Sequence, residues 1–292
     1  MKIHLVDGTY ELFRGFYGPP PKKAPDGREV GATIGLLRSL LLLIKDSDVT
    51  HIGCAFDHVV ESFRNDLFDG YKTGEGIDPD LYAQFELAEQ AIAALGIVVW
   101  SMVEFEADDA IATAAVRFKD DAAVEQVVIC SPDKDLAQLV SGSHVISWDR
   151  RREIIYDEEA VIEKYGVSPA SIPDYLALVG DSADGIPGIP AWGAKSAAGI
   201  LSKFKHIEEI PDDIEQYGLS AGRARRLAEN LEAYKEQAFL YRQLTTLRTD
   251  VPIEESLDDL EWRGAREEFK TLCQELGAET LIDQVPRWVS ES

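Results

Sequence analysis

Ile3-His4-Leu5-Val6-Asp7-Gly8 opens the chain with a short apolar run that stops on a carboxylate. A β-rich run of that length, closed by a turn residue, reads as a buried strand. The pattern returns through the first half. Residues 51–56 are followed by Asp57, 97–100 by Glu104 and Glu106, and 126–130 by Asp133 and Asp135, with a fifth run at 144–148. Between the runs, 32–45, 80–95, 107–118 and 136–139 carry helical patterns. Such alternation predicts an α/β fold with a central, mostly parallel sheet flanked by helices. In an open sheet of this kind the ligand crevice lies outside the carboxyl ends of the strands. One Asp after a strand is ordinary, because Asp caps helices and favours turns. Four strands in succession ending on carboxylates exceed what capping requires.

The second half reads differently. After Tyr165-Gly166 helical patterns dominate, at 171–180, 194–204 and 222–247. Residues 180–195, dense in Gly and Pro, separate the first two; the loop also holds Ile186, Ile189 and Trp192, which a flexible linker would lack.

Charge constrains the function. Twenty-nine Lys and Arg against 53 Asp and Glu give a net charge of −24, and a pI near 4.5. That sign works against binding a polyanion, so any case for a nucleic-acid partner must rest on where the charges sit. Cys54, Cys130 and Cys273 form no CxxC pair and read as reduced, near-core residues. No signal peptide is expected, and the longest apolar run, 35–44, contains Arg38 and falls well short of the ~20 residues of a membrane span. The reading is a cytoplasmic protein with no membrane partner.

Three motifs carry chemistry. Glu106-Ala107-Asp108-Asp109 opens a helical run, with Glu106 and Asp109 three apart on one face. Ser131-Pro132-Asp133-Lys134-Asp135 sets two carboxylates at i and i+2, which an extended backbone would point the same way. Asp181 and Asp184 bracket the start of the Gly/Pro loop. Oxygen donors of this kind suit hard cations such as Mg²⁺ or Mn²⁺, and gathered without a cation they would repel one another. Two divalent ions ~4 Å apart can clamp an in-line phosphoryl displacement.

At this point the residues resemble a family, the flap endonucleases and the 5′-nuclease domain of bacterial DNA polymerase I (PIN-like). Val6-Asp7-Gly8, Phe56-Asp57, Ser62-Phe63-Arg64, Gly70-Tyr71-Lys72, Glu106-Ala107-Asp108-Asp109, Asp133-Lys134-Asp135-Leu136 and Gly180-Asp181…Asp184…Pro187-Gly188 occur in the family's order, over about residues 3–252. With no polymerase segment following, the chain looks like the stand-alone form. The resemblance implies a 5′-3′ exonuclease and 5′-flap endonuclease acting on branched or 5′-ended duplex DNA in replication and repair, with two divalent cations and no small-molecule cofactor. It implies a metallonuclease core at 1–165 with a short helical arch near 66–90, a helix–three-turn–helix DNA-binding region at 166–256, and a helical extension at 257–292.

Position by position, Asp7, Asp57, Glu106 and Asp108 match the family's first metal site. Asp109, Asp133, Asp135 and Asp184 match the second, with Asp108 or Asp109 bridging, and Asp181 matches an outer-sphere carboxylate. Lys72 matches a lysine at the base of the arch that stabilises the scissile phosphate, and Arg64 falls among the DNA contacts. The helix–three-turn–helix loop, with Gly188 and Gly193, implies backbone amides gripping duplex phosphates, often with a K⁺ ion. Gly-rich turns leading into a helix start present N–H groups to an anion on physical grounds as well. Lys195, Arg223, Arg225 and Arg226 would extend a basic strip, although each is also readable as a solvated surface charge.

Three positions depart from the family pattern. Glu75 stands where the arch usually carries Arg, Gly185 where Asn is common, and Trp192 where a smaller residue is usual. Among competing readings, Asp7-Gly8-Thr9 is similar to the DxDGT of haloacid dehalogenase phosphatases, but position 5 is Leu5, so the nucleophilic carboxylate is missing. A non-catalytic branched-DNA binder on the same fold and an RNA 5′-exonuclease also compete; no residue pattern reads a 2′-hydroxyl.

Overall fold

The computed structural model describes residues 1–289. Along the chain, β1 (Lys2–Asp7) leads into α1 (Gly8–Tyr17) and α2 (Gly31–Leu43). Next come β2 (His51–Asp57), α3 (Phe63–Leu67), α4 (Pro79–Tyr82), α5 (Phe85–Ala94), β3 (Val98–Met102), α6 (Ala107–Phe118) and β4 (Gln126–Cys130). A 3-10 turn (Asp135–Leu139) precedes β5 (Val145–Asp149), β6 (Ile154–Tyr156) and α7 (Glu158–Tyr165). The rest is helical: α8 (Ile172–Val179), α9 (Ala194–Phe204), α10 (Ala221–Ala233), α11 (Lys235–Thr245) and α12 (Glu268–Glu275). The described residues form two compact units, one of residues 1–62, 74–131 and 249 onward, the other of residues 63–73 and 132–248.

In the first unit four parallel strands lie in the order β3-β2-β1-β4. Ile3, Leu5 and Val6 of β1 and Val127 and Ile129 of β4 have no exposed surface, as expected where helices cover both faces of a parallel sheet. Leu36, Leu37, Leu40 and Leu41 of α2 are buried while Leu42 is exposed, so the greasy run is one face of a core helix. Among the described residues, no helix is long and apolar enough to cross a membrane. The three cysteines are buried thiols. In the C-terminal part the Trp262 indole donates to the Leu95 carbonyl, and Phe269, Cys273 and Leu281 are fully buried.

The second unit has its own core, built from Leu176 and Leu178 of α8, Ile200 and Leu201 of α9, Leu227 of α10 and Leu244 of α11. Its strands β5 and β6 pair antiparallel.

Several elements differ from the sequence reading. The helical pattern over 222–247 is two helices broken at Tyr234, whose ψ of 26° leaves the helical region. Residues 80–95 divide into α4 and α5, and α5 buries Phe85, Ala88, Ala91 and Ile92 as a core helix. Only α3 and the four-residue α4 precede it in the segment assigned to an arch. The helix α1 was hidden, because Asp7-Gly8 reads as a turn although Asp7 caps the helix by accepting from the Tyr10 amide.

Candidate metal centre

Parallel register places the first-unit carboxylates on one edge. Asp7 and Asp57 are the last residues of neighbouring strands β1 and β2. Both oxygens of Asp7 are engaged: Oδ1 accepts from the Tyr10 amide at 2.8 Å and Oδ2 from the Ser131 hydroxyl at 2.9 Å. The Asp57 amide donates to Thr9 Oγ1 at 2.8 Å, and its carboxylate accepts from the Ala107 amide at 2.8 Å, which ties the end of β2 to the start of α6. Glu106 is buried and accepts from the Ser62 hydroxyl at 2.7 Å. Asp108 is half-buried in the first turn of α6. Asp109 serves differently: fully buried, it accepts from the Glu106 amide at 3.0 Å and closes the helix N-terminus. For Asp109 the capping role that any first-turn carboxylate can play is the one the structure shows.

The second unit gathers Asp135, Asp181 and Asp184, whose oxygens lie within 4.8 Å of one another, all buried. Asp135 Oδ1 is buried without a hydrogen-bond partner. Burial, reinforced by the charges of Asp133, Asp184 and Asp181, pushes the Asp135 carboxyl well above the ordinary carboxylate range. Asp181 Oδ1 is paired with the Lys134 ammonium at 2.6 Å, and Asp184 Oδ1 with the Lys72 ammonium at 3.2 Å. Burial works against the charge on Lys134, but its hydrogen bond and attraction to Asp181 prevail and its pKa is raised. The backbone joins in, with the Lys72 amide donating to the Asp184 carbonyl at 3.1 Å. Gly185 makes that approach possible, because a Cβ there would sit 2.0 Å from the Gly70 carbonyl oxygen.

The expected parallel alignment of Asp133 and Asp135 fails. Lys134 is helical (φ −74°, ψ −27°), not extended, and exposed Asp133 turns back to accept the Asp135 amide at 2.8 Å. The run is an Asx turn that starts the 3-10 segment.

The Gly/Pro loop is closed by paired bonds between Asp181 and Ile186. Gly188 has φ +72°, and a Cβ there would meet the Val179 carbonyl carbon at 2.5 Å, so only glycine passes. Trp192 is buried and its indole donates to the Leu227 carbonyl, which fastens the loop to α10. Gly193 precedes α9 and supplies no side-chain cap. Lys195, Arg223, Arg225 and Arg226 are exposed. Arg223 donates to Ser196 of α9, and Arg223 and Arg226 line one cleft with Ala191 and Gly222. Arg225, two positions from Arg223, lies on another helix face.

The 5′-3′ exonuclease N-terminal, resolvase-like domain matches residues 2–166, and the C-terminal SAM fold of the same enzymes matches 167–268. The chain belongs to the 5′-3′ exonuclease family. It is 34% identical over 287 residues to a 5′-3′ exonuclease of Aquifex aeolicus, covering 98% of this chain and 95% of that one. It is 33% identical over 289 residues to DNA polymerase I of Bacillus subtilis, covering 97% of this chain and 32% of the polymerase. The chain therefore spans about a third of the length of the polymerases it matches. The fold is shared with the bacteriophage T5 flap endonuclease, solved in a pseudo-enzyme-product complex with DNA and metal ions: TM-score 0.66, 19% identity, 97% of this chain and 96% of that one.

Within this 5′-3′ exonuclease fold, one expected DNA contact is corrected. Arg64 is only 1% exposed, and its guanidinium donates to the Leu244 and Thr246 carbonyls, so it braces the second unit from within. Residues without a signature of their own in the sequence also emerge. Ser62 and Ser131 orient Glu106 and Asp7, and Lys134 neutralises Asp181. A hydroxyl directly after β4 and a lysine between two candidate ligands were the available signals.

Proposed function

We propose that this chain is a DNA 5′-nuclease, both 5′-3′ exonuclease and 5′-flap endonuclease, hydrolysing phosphodiesters with two divalent cations, Mg²⁺ or Mn²⁺, in cytoplasmic replication and repair. The observation that carries the reading is the buried trio of Asp135, Asp181 and Asp184 with Asp135 Oδ1 left without a partner. A buried anionic oxygen costs several kcal/mol unless something compensates it, and an all-oxygen donor set suits a hard cation. The residues present therefore fit a divalent ion.

In this reading residues 1–165 are the catalytic core, 166–256 the duplex-binding region, and a C-terminal extension begins at 257. Asp7, Asp57, Glu106 and Asp108 hold one cation, and Asp135 with Asp184 holds the other. Asp109 and Asp133 support from the caps they form, and Asp181 stays outside the coordination shell beside Lys134. Bound at such a set, a divalent cation would neutralise charge on a phosphate oxygen and make water a stronger nucleophile. Lys72, half-buried beside Asp184, contributes an ammonium to the scissile phosphate. Backbone amides at Gly188 and at the start of α9 after Gly193, with Lys195, Arg223 and Arg226, grip duplex phosphates, and the loop's carbonyls would hold a K⁺ ion that offsets phosphate charge.

A gel assay on 5′-labelled flap and nicked duplex DNA tests the reading. Cleavage in Mg²⁺ or Mn²⁺ that stops in EDTA is expected, with product lengths marking cuts at the 5′ end and at the junction. Binding without cutting would leave only a branched-DNA binder. Duplex affinity measured by anisotropy in Ca²⁺ should fall with salt, and Lys195→Ala should reduce that slope by about one unit. An unchanged slope would place the phosphate grip elsewhere.

A further inference from the structure

Two of the three buried second-unit carboxylates already have a cation belonging to the chain. Lys134 Nζ lies 2.6 Å from Asp181 Oδ1, and Lys72 Nζ 3.2 Å from Asp184 Oδ1. The two pairs are not alike. Lys134 is the residue directly before Asp135 and starts the same 3-10 turn, and its ammonium reaches the buried Asp181 while the side chain stays 36% exposed. Asp181 is 2% exposed, and its Oδ1 also accepts the Ala183 amide at 3.0 Å, which holds the carboxylate in place for the lysine. The unpartnered oxygen belongs to Asp135, the residue directly after the lysine.

We propose that Lys134 is a resident counter-ion and positioning residue of this centre: by neutralising Asp181 it sets how tightly Asp135 and Asp184 take a divalent cation. This rests on the reading of the cluster as a metal centre. The physics is a balance of like charges. An ammonium and a divalent ion serving the same few carboxylates repel each other, so the lysine weakens metal binding. In the metal-free protein the same ammonium relieves repulsion among three buried carboxylates. Lys134 thereby favours an exchangeable cation and a centre that survives without one.

Mn²⁺ titration followed by the paramagnetic resonance of free Mn²⁺ tests this on the full chain. Asp135→Asn first identifies which binding event belongs to the cluster. For that event Lys134→Met should bind Mn²⁺ at least ~10-fold more tightly, a conservative figure for removing one charge a few ångströms away. Lys134→Arg should stay near wild type. Lys134→Met/Asp181→Asn removes one charge of each sign, and its affinity should return toward wild type. In EDTA, Lys134→Met should unfold at lower temperature than wild type, and Mn²⁺ should raise its midpoint by more. If Lys134→Met does not fold without metal, Lys134→Gln supplies the same affinity comparison. Unchanged or weaker Mn²⁺ binding without the lysine overturns the proposal, as does a double variant that remains tight. A wild-type chain with no Asp135-dependent Mn²⁺ binding overturns the metal-centre reading itself.

Discussion

The two carboxylate sets are held by different means. In the first unit neutral donors reach the carboxylates: the Tyr10 amide and Ser131 reach Asp7, the Ala107 amide Asp57, and Ser62 Glu106. In the second unit Asp181 and Asp184 face the ammonium groups of Lys134 and Lys72, and Asp135 Oδ1 has no hydrogen-bond partner. Neutral donors fix the direction of a carboxylate and leave its negative charge intact, whereas a lysine cancels charge and competes with an incoming cation. The first set is oriented ahead of metal binding; the second is electrostatically balanced ahead of it, with one oxygen short.

The largest consequence falls on Asp135. Asp135→Asn should lower flap cleavage at least ~10²-fold, since metal stabilisation of charge supplies several kcal/mol at ~1.36 kcal/mol per decade. Asp133→Asn should cost much less, because an amide oxygen can still accept the Asp135 amide. Equal losses in a single-turnover gel assay would put Asp133 back among direct ligands. Next in size is Lys72→Ala, expected to reduce single-turnover rate more than affinity in Ca²⁺, with partial rescue by Lys72→Arg. Equal losses would make Lys72 a docking charge only.

A third consequence concerns stability without metal. The raised pKa of Asp135, caused first by burial, means that the folded chain keeps a proton the unfolded chain has released. Metal-free stability should therefore fall as pH rises above the ordinary carboxylate range toward that raised pKa. Asp135→Asn should flatten this slope and raise the melting temperature in EDTA at neutral pH. Asp7→Asn, where the wild-type oxygens already have donors, should give no such gain. The smallest effect is expected of Ser62→Ala, which removes one hydrogen bond from Glu106 and should slow cleavage by up to about tenfold, an order of magnitude set by ~1 kcal/mol for such a bond. A loss as large as that of Asp135→Asn would show that Ser62 does more than orient.

Much of this was legible in the sequence, for particular reasons. Apolar runs with period-independent burial announced β1, β2 and β4, and Asp7 and Asp57 close the first two of them. What escaped depends on side chains choosing between uses. Asp109, Asp133 and Asp135 are one residue type in similar surroundings, yet the first two cap turns and the third is left open. Arg64 reads as a surface cation until Leu244 and Thr246, 180 residues or more away, supply its carbonyl partners. Trp192 departs from the family pattern in sequence, and only the Leu227 carbonyl explains it. Long-range partners of this sort leave no periodic signature.

Central to the proposed function is that each carboxylate set would hold its own divalent cation. Mn²⁺ stoichiometry, counted by paramagnetic resonance on wild type, Asp7→Asn and Asp135→Asn, tests it most directly. The prediction is two strongly bound ions in wild type and one in each variant, with the double variant holding none. A single site lost in both variants, or two sites surviving Asp135→Asn, would contradict it.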